Sequence, residues 1–161
     1  MRRIVLSLAL VASATAVHAA VKPASRFTDN AVLQAGVPVP VWGTAAPGEE
    51  VTVSFDGQSK TAKADAAGKW SVKLSKLKAS SEPRALTLSS AASTLMLTNV
   101  LVGEVWICSG QSNMEFPMSR AHNASSAIPA SADAQLRLFL VTKAMADDPT
   151  NAVVGSWVVC G

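Results

Sequence analysis

The chain has 161 residues, 49% of them hydrophobic and 16% charged, a composition that excludes a disordered tail and leaves room for one domain, or one small domain and part of another. Its 14 basic residues less Arg2 and Arg3, both in the first nineteen positions, leave 12 against 11 acids, so residues 20–161 carry close to +1. That balance points to neither nucleic acid nor an anionic membrane as a partner.

Residues 1–19 read as a secretory signal. Arg2 and Arg3 form a positive start, Ile4 to Ala12 an apolar core, and Val17-His18-Ala19 a cleavage site, the whole being too short for a membrane span. Export to a periplasm or the extracellular space is therefore expected, with no membrane partner after cleavage.

Residues 20–99 read as a β-sandwich of about seven short strands separated by turn signals. Val32 to Gln34 is the first. Val37 to Trp42 carries prolines at alternate positions, which predicts an edge or polyproline-like strand. Val51 to Phe55 alternates with period two, Asp56-Gly57 is a hairpin signal, and Ser59 to Ala64 is the return. Ala66 to Gly68 turns again, and Lys69 to Leu74 places Trp70, Val72 and Leu74 on one face. Ala79 to Pro83 reads as a loop, followed by strands Ala85 to Ser89 and Thr94 to Thr98. Trp42, Phe55 and Trp70 are expected in the core rather than on a sugar platform.

From Asn99 the pattern changes to unalternated apolar runs, as in parallel strands covered on both faces. Val100 to Cys108 and Leu136 to Thr142 read as two buried strands, joined by a weak helix or loop from Ser119 to Asp133. This predicts that residues 100–161 open an α/β domain with a βαβ unit, incomplete at this length. Left uncovered, Leu136 to Val141 and the surroundings of Trp157 are expected to expose apolar surface.

Between those strands lies Ser109-Gly110-Gln111-Ser112-Asn113, small and polar, where a turn sets a side chain at a sheet's rim. Ser112 is the candidate nucleophile. Gly110 gives the turn room, Gln111 and Asn113 bring amides that orient a substrate or fix the loop, and backbone N–H groups after Ser112 offer oxyanion donors. The same residues also fit a capping box, since Ser112 and Glu115 have the S-x-x-E spacing, although Pro117 argues against a long helix. After the signal, His122 is the one remaining histidine, more readily a surface residue than a catalytic base. A metal site is not expected, and no cofactor is implied. Cys108 and Cys160 allow a disulfide in an exported chain, though Cys108 also suits a buried free thiol.

The segment GEVWICSGQSNMEFPM resembles the nucleophile block of the sialate O-acetylesterase family, a branch of the SGNH (GDSL-type) hydrolases. TDNAVLQAGVPVPVWGTAAPGEEVTVSFDG and GKWSVKL resemble the β-rich lead-in of those enzymes. The resemblance implies a flavodoxin-like hydrolase domain, Ser112 as nucleophile, and an acetylated sugar or glycan as substrate. The family's distal Asp-x-x-His has no counterpart here, so the chain is expected to be an N-terminal portion, inactive or nearly so by itself. The competing expectation is a non-catalytic β-sandwich module for carbohydrate binding or adhesion.

Overall fold

The computed structural model describes residues 20–145, 147 and 153–161, so the expected signal segment lies outside the described residues. Eight strands build the sandwich: β1 (Lys22–Pro23), β2 (Val32–Gln34), β3 (Val39–Thr44), β4 (Glu50–Phe55), β5 (Gln58–Lys63), β6 (Lys69–Leu74), β7 (Ser80–Ser89) and β8 (Thr94–Gly103). They form a three-stranded sheet, β1-β3-β6, and a five-stranded sheet, β2-β8-β7-β4-β5. Only β2 and β8 run parallel within it.

Period-two alternation explains how the sheets face each other. In β4, Val51, Val53 and Phe55 are buried, while Thr52 bonds Thr61 at 3.0 Å and Ser54 bonds Ser59 at 3.2 Å on the outer side. Opposite them, β6 turns Trp70, Val72 and Leu74 inward. Each fully buried Leu or Val contributes roughly 1.5–3 kcal/mol relative to exposure, and Leu74, Leu86, Leu88, Val41 and Val100 are among those fully buried. Phe55 and Trp70 join this core as expected. Trp42 is only partly buried and packs against the margin of the core, its ring meeting the buried Phe27 at 5.1 Å.

Local chemistry sets the turns and irregularities. Asp56 and Gly57 link β4 to β5 with φ of 49° and 73°, a turn with positive φ at both central residues, which matches the twist of a hairpin. β3 is the central strand of its sheet rather than an edge, yet β1 opposes it only at Gly43 and Thr44. Pro40 therefore lies where one side of β3 is unpaired, and its missing N–H costs no ladder bond. The expected loop Ala79 to Pro83 is instead the irregular start of β7, whose register slips between Ser80 and Arg84 around Pro83.

β8 is one strand where two were expected. Its ladder steps from Leu97 opposite Leu86 to Val100 opposite Arg84, so β8 carries an extra residue there. Asn99, with φ of 56°, occupies that bulge. The strand then ends at Gly103, and Val105 to Cys108, expected to continue it, are exposed coil.

Beyond the sandwich come two 3-10 turns (Ser112–Glu115 and Met118–Arg120), α1 (Ala124–Ala127), β9 (Asp133–Phe139) and β10 (Trp157–Cys160). The expected parallel βαβ unit is not formed among the described residues: β8 and β9 lie in different sheets, and β9 pairs antiparallel with β10. A parallel pair needs a crossover helix to cover the sheet, and α1 is four residues long. The antiparallel return of β10 satisfies the ladder without one. Leu136, Leu138, Leu140 and Val141 are exposed, as expected for this stretch.

The β9–β10 pair is fixed to the sandwich through Trp157. Its indole N–H donates to the Arg26 carbonyl at 2.9 Å, its backbone N–H donates to the Thr28 hydroxyl at 3.2 Å, and its ring meets Phe139 at 5.4 Å.

Candidate functional site

The candidate loop follows directly from the exposed coil. Gln111 is extended and heads the first 3-10 turn, in which Ser112 is the first residue. The Met114 N–H donates to the Gln111 carbonyl at 2.9 Å, and the Phe116 N–H to the Asn113 carbonyl at 3.2 Å. Pro117, with φ of −73°, ends this turn and heads the next, as its lack of an N–H requires. Gly110 is needed for space rather than for positive φ: a Cβ there would stand 2.7 Å from Met114 Cγ, which folds back over it.

The capping box is not formed. No side-chain cap bond is made at this turn, and the ion partner of Glu115 is Lys143, which ties the turn to the segment after β9. Gln111, Ser112 and Asn113 are exposed. The backbone N–H groups of Ser112 and Asn113 point from the open end of the turn, unpaired with backbone carbonyls among the described residues.

His122 lies in the turn before α1, exposed, and no hydrogen bond joins it to Ser112 among the described residues. The structure therefore does not assemble a serine–histidine pair. Cys108 is a free, exposed thiol, against its expected burial in a strand. Cys160 is also free, and its thiol lies 3.2 Å from the Ser131 carbonyl.

Sequence reasoning missed a cleft of about 1030 Å³ between the end of β8 and β9, lined by Leu101, Trp106, Cys108, Arg137, Phe139 and Trp157 among others. Gly110 to Asn113 are not part of its wall, although Cys108 is. Trp106 at 84% and Ile107 at 94% exposure stand at this side of the molecule. Their apolar character had suggested a buried strand, and no signal in the residues distinguishes the two situations.

No family model matches the chain. It is 35% identical to the sialate O-acetylesterase of Mus musculus, over 63% of this chain and 21% of the mouse protein. The Rattus norvegicus sialate O-acetylesterase is 33% identical over 67% of this chain and 22% of its own length. Among solved structures, a carbohydrate acetylesterase from Xanthomonas citri superposes with a TM-score of 0.84 at 39% identity, covering 88% of this chain and 33% of that one. The chain spans about a fifth of the length of these curated relatives. Over that span it is a homologue of the sialate O-acetylesterases.

Proposed function

We propose that this chain carries the nucleophile-bearing part of a secreted carbohydrate O-acetylesterase, with Ser112 as the attacking residue. The single observation that carries this reading is the Ser112 side chain, exposed at the head of a short turn and without a hydrogen bond among the described residues, in a chain similar to these esterases. A serine spent on capping would not be available to a substrate, and this one is not so spent.

In the reaction, Ser112 Oγ attacks the acetyl carbonyl of an O-acetylated sugar while a general base takes the hydroxyl proton. The oxyanion is held in part by the Ser112 backbone N–H. Collapse expels the sugar hydroxyl, which recovers the proton, and water then hydrolyses the acetyl-enzyme. The base is a histidine held by a carboxylate in the remainder of an SGNH-type domain, because no hydrogen bond joins His122 to Ser112 among the described residues. No step calls for a metal or an organic cofactor. The substrate is an acetylated sugar such as a sialate, by analogy with the named relatives. The signal-like residues 1–19 support export.

Hydrolysis of acetyl esters is tested on the chain alone and on the chain extended with the following polypeptide of the Xanthomonas citri enzyme. The chain alone is expected to be inactive. The extended protein is expected to turn over, and Ser112→Ala to lower its rate by about 10⁴-fold or more. An extended Ser112→Ala variant with undiminished turnover removes Ser112 from the mechanism.

A further inference from the structure

The strand that leads to the Ser112 turn outlasts its partner. β2 and β8 run parallel, and alternate residues of β8 bond across. The Leu101 N–H donates to the Ala31 carbonyl at 2.9 Å, and the Gly103 carbonyl accepts from the Ala35 N–H at 2.9 Å. Val105 is the next residue due to pair. By then the chain of β2 has turned away at Gly36, where φ is 76° and the N–H donates to the Leu77 carbonyl at 2.9 Å. The Gln34 side chain fills the place. Its amide oxygen accepts from the Val105 N–H at 2.8 Å, and its amide nitrogen donates to Glu104 Oε2 at 3.0 Å. One carboxamide thus holds two consecutive residues where β8 ends.

From Trp106 to Gly110 no hydrogen bond is made among the described residues. The segment between β8 and the Ser112 turn is therefore held at its two ends, by Gln34 at Glu104 and Val105, and by Lys143 at Glu115. We propose that Gln34 is a positioning residue for the esterase reaction, aiming the segment that carries Ser112, a role that rests on Ser112 being the nucleophile. An extended residue spans about 3.3 Å, so a small change of direction at Val105 is magnified over the seven positions to Ser112. A shift of about 1 Å at a reacting atom costs up to about 10²-fold in rate. The sandwich itself asks little of this side chain. Gln34 is half-buried, and the β2–β8 ladder pairs Val32 to Gln34 through backbone bonds.

In the full chain, amide exchange at Val105 is expected to quicken about tenfold in Gln34→Ala, with Leu101 unchanged. In the chain extended with the following polypeptide of the Xanthomonas citri enzyme, Gln34→Ala is expected to lower kcat about tenfold at a KM within about twofold. Gln58 provides the matched control. It lies on β5, at the opposite edge of the same sheet, and its side-chain oxygen accepts from the Ser75 N–H at 2.7 Å. Gln58→Ala is expected to leave kcat within about twofold. Gln34→Glu turns two carboxylates on each other and should cost at least as much as Gln34→Ala. Adding Glu104→Gln restores one donor to one acceptor and should return kcat to within about threefold of the parent. Unchanged Val105 exchange, equal loss from Gln34→Ala and Gln58→Ala, no rescue by Glu104→Gln, or full turnover in Gln34→Ala where Ser112→Ala is dead overturns the positioning role. Turnover that survives Ser112→Ala, or none in the extended parent, instead removes the nucleophile reading, and the positioning role falls with it.

Discussion

The carboxamide of Asn99 donates to the Asn30 side-chain oxygen at 2.7 Å, and both residues hold left-handed backbone, with φ of 56° and 63°. Asn99 also accepts from the Arg137 guanidinium at 3.4 Å, so one residue at the β8 bulge touches both the β1–β2 loop and β9. Asn tolerates this conformation because its short side chain bonds locally, whereas a β-branched residue pays steric strain there.

Replacing Asn99 by Val is therefore expected to destabilise the protein by about 2–4 kcal/mol, through backbone strain and the loss of the partner of the Asn30 side-chain oxygen. Asn99→Gly keeps the conformation and loses only the bonds, at about 1 kcal/mol. Urea unfolding of the two variants separates the contributions. Equal losses in both would show that backbone strain at the bulge is minor.

How far the residues reveal this fold follows from which patterns are local. Alternation in Val51 to Phe55 and Lys69 to Leu74 fixes two strands and their inward faces, because a half-buried sheet admits one phase. Asp56-Gly57 likewise identifies its hairpin, since few other residues accept positive φ twice in succession. Val100 to Cys108 misleads for a tertiary reason. Its apolar run records a preference for being covered, and Val105 to Cys108 are exposed among the described residues. The bulge at Asn99 was legible only as a change in pattern, which reads equally as a strand end.

At the candidate site, residue types were legible and partnerships were not. Ser112 and Glu115 share a spacing that fits two roles, and only geometry separates them: Glu115 turns to Lys143, not back to the head of the turn. Ser112→Ala and Glu115→Gln are accordingly expected to change unfolding free energy by less than about 0.5 kcal/mol each. A working capping box predicts about 1 kcal/mol for the serine. A loss of that size, measured in urea, would restore the structural role for Ser112.

The two thiols offer a chemical check on the same region. Cys108 is exposed on the coil after β8, whereas Cys160 is partly covered and lies against the Ser131 carbonyl. In the native protein, one thiol equivalent is expected to react with a disulfide reagent at near the rate of a free cysteine, and the other only slowly. Cys108→Ser should abolish the fast phase. Two slow thiols would instead indicate the buried strand that composition suggested.

Trp157 tests whether the β9–β10 pair is held independently of the sandwich core. Its indole bonds the Arg26 carbonyl, its ring packs on Phe139, and the Asn30 amide donates to its backbone carbonyl at 3.4 Å. Trp157 packs, partly buried, against the margin of the sandwich core, whose fully buried centre is Val41, Val51, Val53, Leu74, Leu86 and Leu88. Trp157→Ala removes the indole bond and the ring contact, a loss of about 3 kcal/mol at this junction. Because β9 has few buried side chains of its own, that loss is expected to release the pair by local opening while the sandwich stays folded. Hydrogen exchange should then quicken in residues 133–139 and 157–160 but not in β4, β6 or β7. Uniform quickening across all strands would mean that the two parts unfold as one cooperative unit.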